Sequence, residues 1–283
     1  MSRPLEGKLA IVTGAPRGIG LAISEHLASK GANLALCYSS PSSQSLAEDL
    51  SQALQSKHNI RTCIAQADLG TPSGASTLIS TIKSAFAPEG TKFQIDIIVN
   101  NAGVALNNKL PDIKISEFET TYRVNVLGPL LLVQAAQPFL PTDRSGRIVN
   151  LSSVSAGCGF VGQSVYGGTK GALEAMTRTW SRELAENCTV NAINPGPVLS
   201  VMYDKNTDEF KELIRPFIQH SPLMNAREGV DAQALVEDAK TSGGRPAYPE
   251  EIAGIVGMLC LKEAAWCTGQ VVSANGGMLM GTQ

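Results

Sequence analysis

Short apolar runs alternate along the chain with longer segments of helical periodicity. The runs are rich in β-branched residues, and the segments between them repeat apolar residues every three or four positions. This alternation is typical of parallel strands in a sheet whose faces are covered by helices. It predicts an α/β protein with seven strands, at residues 8–12, 33–38, 62–67, 95–100, 147–151, 189–193 and 270–274.

Six helices are predicted between these strands, at 19–30, 43–57, 73–86, 116–139, 165–186 and 249–261. The segment 199–249, between the sixth and seventh strands, is too long for a plain loop and contains helical patterns at 208–220 and 231–240. We expect it to be a substrate lid. Because the chain shows no linker, repeat or low-complexity tract, we predict one catalytic domain over residues 1–283.

The composition excludes several classes of protein. With 23 Lys and Arg against 25 Asp and Glu, the chain lacks the cationic surface of a general nucleic-acid or anionic-membrane binder. It has no signal-like N-terminus and no apolar window long enough for a membrane helix, so we expect a soluble, cytoplasmic protein. The six cysteines are scattered and only three histidines accompany them, which indicates reduced packing residues and no metal site.

A glycine-rich sequence, TGAPRGIG at 13–20, follows the first predicted strand and precedes a helix. Glycines allow a tight turn and close approach of a pyrophosphate, whose charge the exposed N–H groups at the helix start stabilise. The alternative is that the glycines only mark a structural turn. The position inside a βαβ unit favours a dinucleotide site.

The end of the second strand indicates which dinucleotide is bound. A carboxylate there would bind a free ribose hydroxyl, but the sequence has Tyr38, Ser39 and Ser40. Arg17 in the glycine loop is suited to an added phosphate, so NADPH is favoured over NADH. The alternative for Arg17 is a solvated surface charge. Asp68, with Leu69 after the third strand, is either an adenine contact or a turn former.

Tyr166 and Lys170 are four residues apart on a predicted helix and share one face. An ammonium group beside a phenol lowers the phenol pKa and favours proton transfer, although such a spacing also describes a simple surface pair. Ser153 ends the fifth strand, Asn101 follows the fourth and Asn125 lies in the next helix. Each has a structural alternative, as a cap, a turn residue or a satisfied polar core group, but together they fall at one sheet edge.

These residues, with Pro195 and Gly196, resemble the short-chain dehydrogenase/reductase family over residues 5–280, and its fungal hydroxynaphthalene reductases and 3-oxoacyl-carrier-protein reductases in particular. The resemblance implies a three-layer, doubly wound Rossmann fold with strand order 3-2-1-4-5-6-7. It also implies that Tyr166 is the general acid/base, that Ser153 binds the substrate oxygen, that Lys170 holds the nicotinamide ribose and that Asn125 anchors a relay water. The implied cofactor-binding set is Gly14, Arg17, Gly18, Ile19, Gly20, Tyr38, Ser39, Ser40, Asp68, Leu69, Asn101, Ala102, Gly103, Tyr166, Lys170, Pro195, Gly196, Val198 and Ser200.

The function predicted from this resemblance is NADPH-dependent reduction of a ketone to a secondary alcohol. Ser200 stands where the family usually has Thr, which preserves the hydroxyl, and the long 199–249 segment disfavours an acyl-carrier substrate. Two alternatives stay open: NAD-dependent alcohol oxidation, and a cofactor-binding scaffold or sensor without redox turnover. Apolar residues without a nearby Lys or Arg cluster predict a hydrophobic ketone, polyketide-like or cyclic, with a wall of Leu199, Val201, Met202, Tyr203, Phe210, Phe217, Leu223 and Met224.

Two glycines interrupt the helix between Tyr166 and Lys170. Each of Gly167 and Gly168 costs roughly 1 kcal/mol of helix propensity relative to Ala, which indicates close approach by another group. In the family the corresponding helix packs on the cofactor and on a partner subunit, so a homotetramer or homodimer is predicted. The alternative is that glycine is simply tolerated near a helix start.

Overall fold

A seven-stranded parallel sheet forms the centre of the protein, in a computed structural model that describes residues 3–87 and 92–280. Its strand order is β3-β2-β1-β4-β5-β6-β7, and every neighbouring pair is parallel. This confirms the predicted order and the three-layer, doubly wound fold. The strands are β1 (Leu9–Thr13), β2 (Asn33–Tyr38), β3 (Thr62–Gln66), β4 (Ile97–Asn100), β5 (Gly146–Leu151), β6 (Cys188–Ile193) and β7 (Val271–Val272).

The helices cover both faces of the sheet, because the central strands are apolar on both sides. In β1, Ala10 and Val12 join an apolar cluster with α1 and α11, whereas Leu9 and Ile11 join another with α3, α5 and α7. The helices are α1 (Gly18–Ser29), α2 (Gln44–His58), α3 (Gly74–Phe86), α4 (Ile115–Tyr122), α5 (Gly128–Ala136), α6 (Ser155–Cys158), α7 (Ser164–Glu183), α8 (Val201–Asp204), α9 (Asp208–Gln219), α10 (Gln233–Ser242) and α11 (Pro249–Cys260).

The prediction of one continuous helix after β4 is wrong. The segment 116–139 was expected as a single helix, but a π-helical turn, Arg123–Leu127, separates α4 from α5. A π turn holds an extra residue, and apolar periodicity does not reveal it because the flanking helices keep their own period. Both helical patterns expected within 199–249 are confirmed, as α9 and α10.

The carboxyl ends of β1 and β4 are joined by hydrogen bonds. The Thr13 hydroxyl oxygen accepts from the backbone N–H groups of Asn101 (3.0 Å) and Ala102 (2.9 Å). The Asn101 side-chain amide donates to the Thr13 carbonyl at 2.8 Å. Because the strand order reverses between these two strands, the junction lies where open α/β sheets form their ligand crevice.

The glycine loop between β1 and α1 needs two kinds of glycine. Gly14 and Gly18 have φ values of 66° and 55°, in the left-handed region that favours glycine. Gly20 is required for packing, because a Cβ there would lie 2.2 Å from the Gly14 carbonyl oxygen and 2.6 Å from Asn101 Nδ2. The third glycine therefore lets α1 approach the strand end closely.

The cysteines and the lengths of the helices can also be compared with the sequence. All six cysteines are free, and Cys37, Cys188 and Cys260 are buried. Within residues 3–87 and 92–280, no helix has the length and apolar character needed to span a bilayer.

We expect Gly20→Ala to lower the free energy of unfolding by at least about 3 kcal/mol, because the new methyl group meets a backbone oxygen that cannot move aside. Gly254→Ala is the matched control, since a Cβ at this helical position meets nothing within 4 Å. The control should change stability by no more than about 1 kcal/mol, in the stabilising direction. Urea unfolding of both variants checks the difference, and equal stabilities would contradict the packing role of Gly20.

Candidate active site

A cavity of about 530 Å³ lies along the carboxyl edge of the sheet. It is lined by residues that follow β1 to β6 and by the start of α7. All the catalytic and cofactor-binding residues predicted from the sequence line it except Gly20 and Asn125. The sheet thus brings side chains that are distant in sequence to one continuous surface.

The Arg17 guanidinium reaches the end of β2, where Nη2 donates to Ser43 Oγ at 2.6 Å. Ser40 Oγ accepts from the Ser42 backbone N–H at 3.3 Å and caps the short 3₁₀ turn Pro41–Ser43. Ser42 and Ser43 line the cavity and were not predicted, although their position directly after a strand end is a signal that sequence reasoning had available. The result is one guanidinium among hydroxyl groups, an arrangement suited to a phosphate.

Asp68 forms a turn and also lines the cavity, and its predicted contact with an adenine stays a prediction. Its Oδ1 accepts from the Gly70 backbone N–H at 3.0 Å, so it forms the turn after β3. It also lines the cavity beside Leu69. The turn bond fixes the carboxylate without removing it from the site.

Lys170 is buried on α7, with its ammonium group directed at the end of β5. Its Nζ donates to the Leu151 carbonyl at 2.7 Å and lies 5.5 Å from the centroid of the Tyr166 ring. A Cβ at Gly103 would lie 3.6 Å from Nζ, so the chain after β4 passes directly beside it. Burial lowers the pKa of Lys170 to about 8.

Burial also raises the pKa of Tyr166, and a hydrogen bond with the Ser153 hydroxyl acts in the opposite direction and lowers it. The prediction that Lys170 lowers this pKa is not what the structure shows. The reason is geometric: the ammonium lies over the ring and is bonded to Leu151. The phenol therefore keeps its proton to high pH, in the form that can donate.

Ser153 follows β5 at the cavity wall and fixes the turn that leads into α6. Its hydroxyl donates to Ser155 Oγ at 3.0 Å and accepts from the Ser155 backbone N–H at 3.2 Å. The N-cap of α6 is Val154, so Ser153 is a turn residue and not the helix cap considered from the sequence. The turn holds its hydroxyl near Tyr166.

Asn125 lies behind the cavity wall, in the π turn, and its side chain is buried. Its Nδ2 donates to the Val104 carbonyl (2.8 Å) and to Thr169 Oγ1 (3.1 Å), while Oδ1 accepts from the Val104 N–H (2.9 Å). It therefore binds the segment after β4 to α7. Its predicted role as the anchor of a relay water stays a prediction.

The substrate wall was predicted only in part. Val201, Met202, Tyr203 and Phe210 line the cavity as expected. The other four expected residues do not, and two of them pack elsewhere: Phe217 lies against Phe160 at 5.0 Å between ring centroids, and Met224 is buried with Ile214 and Ile218. Four polar residues, Asn107, Ser155, Gln163 and Asn206, also line this wall. Ser155 and Asn206 lie within the stretches expected to form it, 154–162 and 204–245, whereas Asn107 and Gln163 were not predicted.

The two glycines after Tyr166 are explained within the chain. A Cβ at Gly167 would lie 2.6 Å from the Ser155 carbonyl oxygen, and one at Gly168 would lie 2.8 Å from Tyr122 Oη. The close approach inferred from the sequence is therefore made by α6 and α4. The predicted oligomer stays a prediction.

The comparisons with known proteins all indicate the same family. The family model described as short chain dehydrogenase matches residues 8–211. L-xylo-3-hexulose reductase of Hypocrea jecorina is 49% identical over 301 residues, 99% of each chain. L-xylulose reductase of Aspergillus niger is 50% identical over 296 residues, 98% of this chain and 99% of that protein. The structure of angucycline C-6 ketoreductase LanV with bound NADP has a TM-score of 0.82 at 31% identity, covering 99% of both chains.

The buried Lys170 makes folding stability depend on pH. Its pKa is 10.5 in an unperturbed lysine and about 8 in the fold, so the penalty for burying its charge is present below pH 8 and is relieved as the pH rises from 8 towards 10.5. We expect the stability of Lys170→Met relative to wild type to fall by about 2 kcal/mol between pH 7 and pH 9.5.

Urea unfolding at both pH values measures this difference. Lys57→Met, which removes an exposed lysine from α2, is the control and should show no such trend. A stability difference for Lys170→Met that is the same at both pH values would contradict the low pKa.

Proposed function

The chain belongs to the short-chain dehydrogenase/reductase family, and from this we propose that it reduces the ketone group of a small hydroxylated substrate, a ketose, to a secondary alcohol with NADPH. One observation carries the proposal. Tyr166, Ser153 and Lys170 line the same cavity as the glycine loop and Arg17. Proton-donating groups thus share one space with groups suited to a dinucleotide phosphate.

The residues at the first two strand ends fit NADPH. The left-handed glycines, Gly14 and Gly18, leave room for a pyrophosphate at the start of α1, where backbone N–H groups are exposed. Arg17 and Ser43 offer donors where a 2′-phosphate would lie, and the end of β2 has no carboxylate to repel it. When bound, NADPH supplies the hydride that reduces the carbonyl carbon.

The residues of this chain manage the charge that develops on the substrate oxygen. We assign to Ser153 a hydrogen bond to that oxygen and to Tyr166 the transfer of its proton. The raised pKa of Tyr166 keeps the proton available for reduction. The Lys170 ammonium lies over the Tyr166 ring, 5.5 Å from its centroid, a cation–π contact that holds the two side chains together. Asn125 takes a positioning role, because its side chain holds the segment after β4 against α7.

The residues of the cavity wall and the related fungal proteins both favour a ketose as the substrate. Asn107, Ser155, Gln163 and Asn206 give the cavity polar groups for hydroxyl recognition. The two fungal relatives that are about half identical over nearly the whole chain are named as reductases of L-xylulose and L-xylo-3-hexulose. The hydrophobic ketone expected from the sequence remains a second candidate, supported by Val201, Met202, Tyr203 and Phe210.

We also propose the assembly and organisation inferred from the family resemblance. Residues 1–283 form one catalytic domain whose lid is the segment 199–249, and copies of the chain associate as a homotetramer or homodimer. Exposed apolar side chains on α4 and α5, Ile115, Phe118 and Leu130, support association. The reaction partner is a small ketone or alcohol, and the balanced charge supports no role in nucleic-acid binding.

Tyr166→Phe tests the proton donor. We expect the kcat for L-xylulose reduction to fall by at least about 10³-fold, because no other group delivers the proton, while NADPH binding stays nearly unchanged. Loss of NADPH absorbance measures turnover, and fluorescence titration measures binding. Tyr203→Phe, the same change at another residue of the cavity wall, is the control and should retain activity within about fivefold. A Tyr166→Phe variant with wild-type turnover would refute the assignment.

Arg17→Ala tests the choice of dinucleotide. Because a charge-assisted contact to phosphate contributes about 1.5–3 kcal/mol, the Kd for NADPH should rise about 10- to 100-fold. The Kd for NADH, which has no 2′-phosphate, should change by less than about threefold and serves as the internal control. Equal weakening of both would show that Arg17 does not read the added phosphate.

A further inference from the structure

Gln163 stands at the start of α7, one helical turn before Tyr166. Its backbone carbonyl accepts from the Gly167 N–H at 2.7 Å and its N–H donates to the Phe160 carbonyl at 3.1 Å, so the backbone is fixed at both ends. Gln163 is the N-cap of α7, directly before the first helical turn, which carries Tyr166. Both line the cavity.

The Gln163 side chain is buried but incompletely bonded. Its residue is only 8% exposed, and its Oε1 atom has no hydrogen-bond partner among the described residues. A buried polar atom without a partner costs roughly 1–3 kcal/mol. Such a cost at a cavity wall indicates an atom that a ligand satisfies.

The other residues that line the cavity indicate what the ligand offers. Val154, Phe160 and Phe210 line it as well, and their apolar side chains provide no donor for the amide. Ser153 and Tyr166 are assigned to the substrate oxygen in the proposed reaction. A ketone that carries a hydroxyl beside its carbonyl carbon offers a donor of the kind that Oε1 lacks.

We propose that Gln163 selects hydroxylated ketones by accepting a hydrogen bond from a substrate hydroxyl beside the reacting carbonyl. The inference rests on the proposed function, since it assumes that the ketone binds at Ser153 and Tyr166. A site built to bind a hydroxyl rejects the analogue that lacks it, because the buried amide is then left unpaired. Gln163 thereby makes a largely apolar wall selective for a ketose.

The test compares two ketones and two variants. L-xylulose and 2-pentanone share a carbon chain and a ketone position and differ in their hydroxyl groups. Gln163→Met keeps the length of the side chain but removes the acceptor. Gln52→Met makes the same change at an exposed glutamine of α2, outside the cavity, and it is the control.

We expect Gln163→Met to lower kcat/KM for L-xylulose by about tenfold or more, and to leave kcat/KM for 2-pentanone within about threefold. Gln52→Met should leave the ratio of the two values close to that of wild type. Equal losses for both ketones in Gln163→Met, or no loss for either, would overturn the proposal. Equal melting temperatures for wild type and variant exclude a folding defect.

A binding measurement separates this inference from the proposed function. Xylitol, the alcohol formed from L-xylulose, is titrated calorimetrically into NADP⁺-loaded wild type and Gln163→Met. At least about tenfold weaker binding to the variant supports the role of Gln163 even if neither ketone is turned over, in which case the proposed function alone fails. Equal binding, or no binding to wild type, overturns the role of Gln163 whatever the turnover.

Discussion

The junction between the ends of β1 and β4 is the constraint on which the rest of the site depends. Thr13 receives two backbone N–H groups from the chain after β4, and Asn101 returns a hydrogen bond to Thr13. These contacts set the glycine loop against the segment 101–105, which forms one wall of the cavity. Gly20 then lets α1 pack closely against the same junction. The glycine loop and the cavity wall after β4 are therefore held in place by the same contacts.

Sequence reasoning recovered the sheet because buried parallel strands leave a strong local signal. It also recovered the edge at which Ser153, Tyr166 and Lys170 meet, since strand ends in such a sheet are necessarily neighbours. It did not find the π turn at Arg123–Leu127, whose extra residue leaves the apolar pattern intact. Nor could it assign Asn125 to Val104 and Thr169, because that pairing depends on how two helices and a loop pack.

The remaining errors concern side-chain direction. Spacing places Lys170 beside Tyr166, but only the structure shows that the ammonium is bonded to Leu151 and lies over the ring. The sequence likewise shows that 199–249 contains many apolar residues, but it does not show which of them reach the cavity. Tyr203 and Phe210 reach it, whereas Met224 is buried inside the segment itself. Periodicity shows which residues share a face of a helix or strand. Tertiary packing decides which of the faces lies against the cavity.

The small apolar cluster of Ile214, Ile218 and Met224 is separate from the two clusters that flank the sheet. The segment that carries it is held to the start of α11 by Arg245, whose guanidinium pairs with Glu251 at 2.8 Å and Asp231 at 3.0 Å. The buried residues of this cluster belong to neither of the other two, so substitutions among them leave the packing around the sheet intact. Under the proposed function, in which 199–249 is the substrate lid, this separation allows the lid to change in sequence while the packing that supports the glycine loop is kept.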